Sequence, residues 1–380
     1  MKLLFNLECT QPSGTSKRHG GGRYGEVIFR RIVERGLEVS AFYNSSKWFN
    51  PELKEIINKY GIPLYDSQDL PLGQTIEKKG FTRLYLPVEV YDGTNRLTDC
   101  EVYGTIHGLR ALELQYDSYM WLYASVSTRD RLIFLIKRYF PKWGYKHAYN
   151  YFFSALTDRD FHFIMVSNHS ANAMRAYFPM ETKNRTIPVY YSPSTSSTEE
   201  LETKYPERYF LMVSGNRWEK NVLRGIIAFD RLFSAGYLKD TVVKITGVSS
   251  ASAFRYKVQN PDKFQYLGYV DDAELEQLYH DAYAFVYPSL NEGFGYPPLE
   301  AMHYGVPVLT SAHTSISEIC EGAALYFNPL SVEEIMARIL TILNDEVHTK
   351  YSQLGRERYE LITKKQSEDL DRLIDYIYKI

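Results

Sequence analysis

Two glutamates, Glu292 and Glu300, stand with seven residues between them in the segment Asn291–Met302. The run Ala284–Pro288 before this segment is short and apolar, which predicts a buried strand. One carboxylate therefore follows a strand, and the other lies in the first turns of the next helix. Such a turn suits a phosphate flanked by hydroxyls, as in a sugar nucleotide. The alternative is an ordinary strand-to-helix turn with an acidic residue near the helix N-terminus.

The rest of the chain alternates short apolar runs with amphipathic stretches, which indicates an α/β protein with mostly parallel sheets. The polar run Ser192–Glu202 predicts a linker. We therefore expect a first domain over 1–195 and a second over 196–359, with a C-terminal helix of about 360–380 packing back on the first. Two doubly wound domains of this kind face a central cleft, and ligands bind there at the carboxyl ends of the strands.

The hydrophobic pattern predicts the individual elements. Predicted strands cover 3–7, 37–43, 84–88, 102–106, 164–167, 209–214, 242–246, 264–267, 284–287 and 306–310. Predicted helices cover 26–35, 170–177, 221–235 and 272–280, a segment that opens at 300, and 357–380.

Composition excludes several classes of protein. The formal net charge of −2 gives no general attraction to nucleic acid. Three distant cysteines form neither a disulfide framework nor a zinc site, which is typical of a reducing cytoplasm. No run of about 18 apolar residues predicts a membrane-spanning helix. The apolar start of the chain is too short for a signal peptide, and Glu8 interrupts it.

A basic loop over Gly215–Asn221 follows a predicted strand and precedes a helix. Arg217 can grip a diphosphate as a planar fork, and Lys220 can meet it as a point charge. The alternative is a solvated loop that caps the helix.

A glycine cluster, Gly20–Gly22, follows the first predicted strand. It lacks the dinucleotide-binding fingerprint, but its position allows Gly21 and Gly22 to pack against a diphosphate or an acceptor. His107 ends another predicted strand, at the edge where ligands bind in such sheets.

Two polar clusters are interpreted as helix caps. Ser167 and Ser170 precede one predicted helix, and Asp271 and Asp272 precede another. Because the acidic pair reads as a cap, we predict no metal site there.

The segment 129–147 is basic and aromatic, with six Lys or Arg residues against Asp130. One hypothesis is a surface that contacts an anionic membrane or a lipid-linked acceptor. The alternative, which we favour at this point, is a helix pair with an ordinary solvated face.

The segment Glu292–Met302 reads Glu-Gly-Phe-Gly-x-Pro-x-x-Glu-Ala-Met and resembles the signature of the family 4 retaining glycosyltransferases, which have the GT-B fold. The resemblance continues downstream through Gly305–Ser311 and Phe327–Pro329, and upstream through Gly268–Asp272. It covers the C-terminal half of the chain and is looser in the N-terminal half.

The resemblance implies a set of roles. Arg217 and Lys220 would hold the donor phosphates, Glu300 the ribose and Glu292 the transferred sugar, while His107 would also contact that sugar. Gly108 follows His107 where relatives have Asp, so any role of that Asp is lost or moved. The remaining donor-binding residues implied are Gly21, Gly22, Gly215, Tyr269, Val270, Gly293, Phe294 and Gly295. No obligatory metal is implied.

These observations predict a retaining hexosyltransferase, for instance a mannosyltransferase. It would use a UDP- or GDP-sugar and a glycan or lipid-linked acceptor hydroxyl in surface polysaccharide biosynthesis. Its expected location is the cytoplasm, with peripheral contact at the inner membrane face if the basic segment binds lipid. One alternative is a glycosyltransferase-like subunit that binds nucleotide sugar or glycan without transfer. Another is a sugar-nucleotide epimerase of the same fold.

Overall fold

The computed structural model describes residues 2–12, 20–88, 99–114, 116–157, 161–194 and 201–380. They form two compact units. The first unit comprises Met1–Leu109, His147–Thr195 and Thr363–Ile380, and the second comprises Arg110–Lys146 and Ser196–Ile362. Part of the predicted linker, 195–200, lies outside the described residues.

Each unit contains a parallel six-stranded sheet. The strands of the first sheet are β1 (Leu3–Asn6), β2 (Ser40–Tyr43), β3 (Leu64–Asp66), β4 (Arg83–Leu86), β5 (Glu101–Ile106) and β6 (Phe161–Met165). Those of the second are β7 (Tyr209–Met212), β8 (Val242–Thr246), β9 (Phe264–Gly268), β10 (Ala284–Tyr287), β11 (Val308–Ser311) and β12 (Ala324–Phe327).

Helices connect these strands. In chain order the described residues form α1 (Gly20–Glu34), α2 (Pro51–Lys59), α3 (Leu72–Lys79), α4 (Arg110–Glu113), α5 (Thr128–Tyr139), α6 (Pro141–Gly144), α7 (Lys146–Thr157), α8 (Asn168–Tyr177), α9 (Pro179–Thr182), α10 (Val222–Ser234), α11 (Asp272–His280), α12 (Tyr296–His303), α13 (Ile316–Cys320), α14 (Val332–Ile342) and α15 (Asp345–Tyr378).

The strand order reverses once in each sheet. The first sheet runs β3-β2-β1-β4-β5-β6 and the second β12-β11-β10-β7-β8-β9. The reversal lies between β1 and β4 in one unit and between β10 and β7 in the other. In sheets of this kind, ligands bind beyond the carboxyl ends of the strands at the reversal.

The two strands at the reversal of the second sheet, β7 and β10, are apolar along their whole length, as expected where both faces of a sheet are covered. Every residue of β10 and of β7 is buried. The helix α10 covers one face of the second sheet with most of its residues buried, and it packs on α14. This packing makes the second sheet a rigid base for the loops that follow its strands.

Residues 110–146 depart from the predicted domain boundary, because they cluster with the second unit. Arg224 Nη2 donates to Asp117 Oδ1 over 2.8 Å, and the Arg224 guanidinium lies over the Tyr119 ring. The Tyr123 hydroxyl accepts the backbone N–H of Leu223 over 3.0 Å. These buried contacts anchor the segment on α10, so the first domain is not one continuous stretch.

The helix α15 begins at Asp345, well before the predicted start at 357. Its last part, from Thr363, belongs to the first unit. There Arg31 on α1 pairs with Asp371 over 2.9 Å, and Arg35 pairs with Asp375 over 2.6 Å.

Candidate donor-binding site

Two loops meet at the strand reversal of the second sheet. One loop follows β7 and contains a single 3-10 turn, Trp218–Lys220, and the other follows β10 and leads to α12. The backbone N–H of Leu290 donates to the Glu219 carbonyl over 2.8 Å. The Asn221 side chain, on a residue with φ of 57°, donates to the Pro288 carbonyl over 3.0 Å. The loops therefore brace each other.

Lys220 and Glu292 form a buried ion pair across these loops. Lys220 Nζ lies 2.5 Å from Glu292 Oε1, and the two residues are 5% and 8% exposed. The same carboxylate oxygen accepts the Tyr287 hydroxyl over 2.5 Å and the Ser289 hydroxyl over 2.6 Å. The Tyr287 hydroxyl also accepts from Lys220 over 2.8 Å. The predicted residues Lys220 and Glu292 are thus brought together, with two hydroxyls that the sequence analysis did not single out.

The charges of this cluster hold Glu292 ionised. Burial alone would raise the pKa of the carboxyl, but Lys220, Arg110 and the hydrogen bonds outweigh it and lower the pKa to about 2. Burial lowers the pKa of the Lys220 ammonium, and Glu292 opposes that change. Burial and the Glu292 charge raise the pKa of Tyr287, so its hydroxyl stays protonated and donates.

Arg217, the other predicted cation, is held by Glu219. Two guanidinium nitrogens of Arg217 donate to Glu219 Oε1 over 2.9 and 2.6 Å. Arg110 Nη1 lies 3.1 Å from the same oxygen. Burial would raise the pKa of Glu219, but the two guanidiniums outweigh it and lower that pKa. Glu219 therefore holds the Arg217 guanidinium in a fixed orientation by its charge and by two hydrogen bonds.

Residues before α5 also support this site. Arg110 Nη2 lies 3.5 Å from the Asn291 carbonyl oxygen, and the Asn291 amide donates to Glu113 Oε2 over 3.1 Å. Arg110 and Glu113 were not singled out in the sequence. No local motif marks them, since they lie nearly two hundred positions before the loop that they contact.

The turn between the two signature glutamates contains one glycine in a conformation that favours glycine. Gly295 has φ of 119°, which L side chains rarely adopt, and it is the N-cap of α12. Phe294 beside it is buried, and Gly293 is half-buried. Glu300 is half-buried on α12, which starts at Tyr296 and hence earlier than predicted.

The loop after β7 passes close to the next strand. A Cβ at Gly215 would lie 2.9 Å from Val248 Cγ2, so glycine permits the approach. Tyr269 and Val270 follow β9, and the Tyr269 side chain is 72% exposed. A contact of these two residues with a nucleotide base stays a prediction.

Residues 195–361, which contain these loops, match the family model described as glycosyl transferases group 1. This region belongs to the group 1 glycosyl transferases. The match lies in the half of the chain where the sequence resemblance was strongest.

Relatives of the group 1 region include proteins of O-antigen synthesis. Over 147 residues the chain is 51% identical to O-antigen chain mannosyltransferase B of Escherichia coli, and the matched region is 38% of this chain and 31% of that protein. Over 144 residues it is 35% identical to O-antigen chain mannosyltransferase RfbU of Salmonella typhimurium, covering 38% of this chain and 40% of the relative. The chain thus spans less than half of the length of these curated relatives.

Solved structures extend the likeness to the whole chain. Sucrose-phosphate synthase from Thermosynechococcus elongatus matches with a TM-score of 0.67 and 16% identity, covering 100% of this chain and 98% of that one. WaaG, a glycosyltransferase involved in lipopolysaccharide biosynthesis, matches with a TM-score of 0.66 and 15% identity, covering 99% of each. At these identities the likeness shows the fold alone, and it confirms the predicted GT-B fold class.

The predicted site residues of the first unit come after strands β1 and β5 of the first sheet. Gly21 and Gly22 lie in the first turns of α1, which begins at Gly20, so the predicted helix start at 26 is wrong. A Cβ at Gly25 would come within 2.5 Å of Thr10, which shows that a glycine is needed where the helix crosses the chain after β1. Of this glycine-rich stretch, His19 lies outside the described residues.

His107 directly follows β5, and its ring contacts Pro87 and Tyr24 of the same unit. Its Nε2 is 2.9 Å from the Pro87 carbonyl oxygen, and its ring meets the Tyr24 ring edge to face at 4.7 Å. The Tyr24 hydroxyl lies 3.1 Å from the buried hydroxyl of Thr105. These contacts fix the imidazole, and a role toward a donor sugar stays a prediction.

Both predicted caps are confirmed. Ser167 Oγ accepts the Ser170 N–H over 3.2 Å, and Asp271 Oδ1 accepts the Glu274 N–H over 2.9 Å. Within the described ranges, no three His, Cys, Asp or Glu side chains are grouped so that they could hold a metal ion. Among the same residues, no helix combines the length and the apolarity that crossing a bilayer requires.

Proposed function

We propose that this chain is a retaining glycosyltransferase that transfers a hexose, mannose in the first instance, from a nucleotide diphosphate sugar to a hydroxyl of a glycan or lipid-linked acceptor. The observation that carries the proposal is the Lys220–Glu292 cluster at the strand reversal of the group 1 region. The O-antigen mannosyltransferases among the relatives support the sugar and a place in surface polysaccharide biosynthesis.

In the proposed reaction, the bond between the anomeric carbon and the diphosphate oxygen breaks, and a bond to the acceptor oxygen forms on the same face of the sugar. The acceptor proton passes to the departing phosphate. Arg217, Lys220 and the backbone amides of Phe294 and Gly295 would stabilise the charge that develops on the diphosphate. Glu292 would accept hydrogen bonds from the sugar hydroxyls.

Glu300 would accept the ribose hydroxyls. The proposal requires no metal ion, because Arg217, Lys220 and the backbone amides at the N-terminus of α12 would bind the phosphates.

As a further part of the proposal, the protein works in the cytoplasm, where nucleotide sugars are made, with peripheral contact at the inner membrane face.

The test uses purified protein with UDP- and GDP-sugars, GDP-mannose and UDP-glucose among them. A thermal shift identifies the donor, and release of nucleoside diphosphate in the presence of acceptor glycan measures turnover. The proposal expects turnover with one donor and its loss in Glu292→Ala. Tight donor binding without hydrolysis or transfer would instead favour the non-catalytic subunit, and donor conversion without acceptor would favour an epimerase.

The retaining outcome has its own test. Proton NMR of the product reports the anomeric configuration of the new bond from its coupling constant. The same configuration as in the donor is expected, and an inverted product refutes the retaining assignment while leaving the transferase assignment intact.

A further inference from the structure

An apolar face of the second unit is exposed on α5 and α6. Side chains on it are large and 38–66% exposed: Leu132, Ile133, Tyr139, Phe140 and Trp143. No residue of either helix is buried. Leu132 and Tyr139 are seven positions apart on α5 and so share one face of that helix, and Phe140 and Trp143 follow on the chain and on α6. This set of residues is called the α5–α6 face below.

The opposite side of α5 packs on the second unit, which sets the direction of the α5–α6 face. The Phe134 ring meets the Trp218 ring edge to face at 5.0 Å. Arg131 donates to the Tyr123 carbonyl over 3.2 Å, and the Arg138 guanidinium lies over the Tyr116 ring. Because these contacts occupy the inner side, the exposed side chains of Leu132, Ile133 and Tyr139 point outward.

Cations surround the α5–α6 face. Arg129, Lys142 and Lys146 are exposed, and the nearby acidic residue Asp130 accepts a hydrogen bond from the helix-capping hydroxyl of Ser127 over 2.6 Å. Exposed aromatic rings beside Lys and Arg are typical of segments that lie in a membrane interface. Lysine is depleted at protein–protein interfaces, and a second copy would bring like charges together.

We propose that the α5–α6 face docks on a membrane surface that carries anionic lipids. The aromatic rings enter the headgroup region, and Arg129, Lys142 and Lys146 meet the lipid phosphates. This docking deepens the peripheral membrane contact of the proposed function and rests on it, but it needs no donor, so a failure of docking and a failure of transferase activity are measured separately.

Docking would bring the candidate site close to the membrane. Trp218, which packs on the inner side of α5, is the neighbour of Arg217. A helix with its side chains is about 10–12 Å across, so the Arg217 loop would lie roughly one helix diameter from the lipid surface. A site at that distance suits an acceptor that is attached to a lipid.

The test measures flotation of the full chain with vesicles of phosphatidylcholine alone and of phosphatidylcholine mixed with phosphatidylglycerol. Binding is expected to the mixed vesicles and to fall as salt rises. Lys142→Glu with Lys146→Glu should lower the partition coefficient about 25-fold or more, from about fivefold for each lysine lost. Phe140→Ser with Trp143→Ser should lower it at least about tenfold.

The matched control is Tyr237→Ser with Lys239→Glu, an exposed aromatic and an exposed lysine elsewhere on the same unit. It should bind as the unchanged protein does, and melting curves by circular dichroism check that all variants fold. The proposal is overturned if the unchanged protein does not prefer anionic vesicles, or if the face variants bind as well as the control. A dimer that Phe140→Ser with Trp143→Ser dissociates, without vesicle binding, would show that the face joins two copies instead.

Discussion

Replacing Glu292 by Gln tests the electrostatics of the buried cluster directly. The substitution keeps the size of the side chain and removes its charge. Lys220 then keeps an ammonium that lies 2.8 Å from the Tyr287 hydroxyl and has lost its counter-charge at 2.5 Å. Because the side chains of the pair are only 6% and 9% exposed, solvent screens the loss little.

Two routes give the size of the effect. Breaking a buried ion pair by removing one partner costs about 3–5 kcal/mol. Independently, lowering the Glu292 pKa from 4.5 to about 2 corresponds to about 3 kcal/mol of folding free energy. Lys220 can limit the cost by losing its proton, which for an ordinary lysine at about pH 7.5 requires about 4 kcal/mol. We expect Glu292→Gln to lower the free energy of unfolding by about 3 kcal/mol.

The assay is urea denaturation of the unchanged protein, Glu292→Gln, Lys220→Met and the double variant. The double-mutant cycle should give a coupling free energy of about 3 kcal/mol. The folded-state pKa of Glu292 is depressed, so its contribution is full above the unfolded pKa near 4.5 and is lost as pH falls toward about 2. The stability difference between the unchanged protein and Glu292→Gln should therefore shrink over that range. A coupling below about 1 kcal/mol, typical of exposed pairs, would refute the reasoning.

Three other substitutions probe the same site. Glu219→Gln should raise the donor KM about tenfold with a smaller change in kcat, since Arg217 loses the carboxylate that orients it; an unchanged KM in steady-state kinetics would contradict this role. Gly295→Ala should lower the free energy of unfolding by about 1–3 kcal/mol, because the φ of 119° at this position strains any L residue. Urea denaturation measures the change, and Gly322→Ala, whose added Cβ would meet no atom within 4 Å, is the control that should change it less. Glu300→Ala should weaken nucleotide binding at least about tenfold in calorimetry, and unchanged binding would remove Glu300 from the ribose.

Ten of the twelve strands that the described residues form are predictable from the sequence, because each contains a short run with enough apolar residues to stand out. The two strands missed are β3 and β12, and each lies at an edge of its sheet. The three residues of β3 are only half-buried, so the run Leu64–Asp66 is too short and too polar to stand out. The strand β12 is apolar and mostly buried, and the other two edge strands, β6 and β9, were predicted, so edge position alone does not explain the misses.

The site is predictable where one short segment contains it. The signature segment between Glu292 and Met302 places both glutamates and the turn between them, in which Gly295 has a positive φ. The pairing of Lys220 with Glu292 is not predictable in this way, because it depends on β7 and β10 being neighbours in the sheet. The same limit hides Arg110, whose contact with Glu219 depends on residues 110–146 packing on the second unit.

The ion pair also distinguishes the two cations of the basic loop. The Lys220 side chain is 6% exposed, and its charge is neutralised by Glu292. The Arg217 side chain is 43% exposed and shares the single charge of Glu219 with Arg110, which leaves this group of three with a net positive charge. A dianionic phosphate is attracted by an accessible excess of positive charge and less by a neutral buried pair. Arg217 is therefore the better placed of the two to grip the diphosphate, while Lys220 fixes the carboxylate that would hold the sugar.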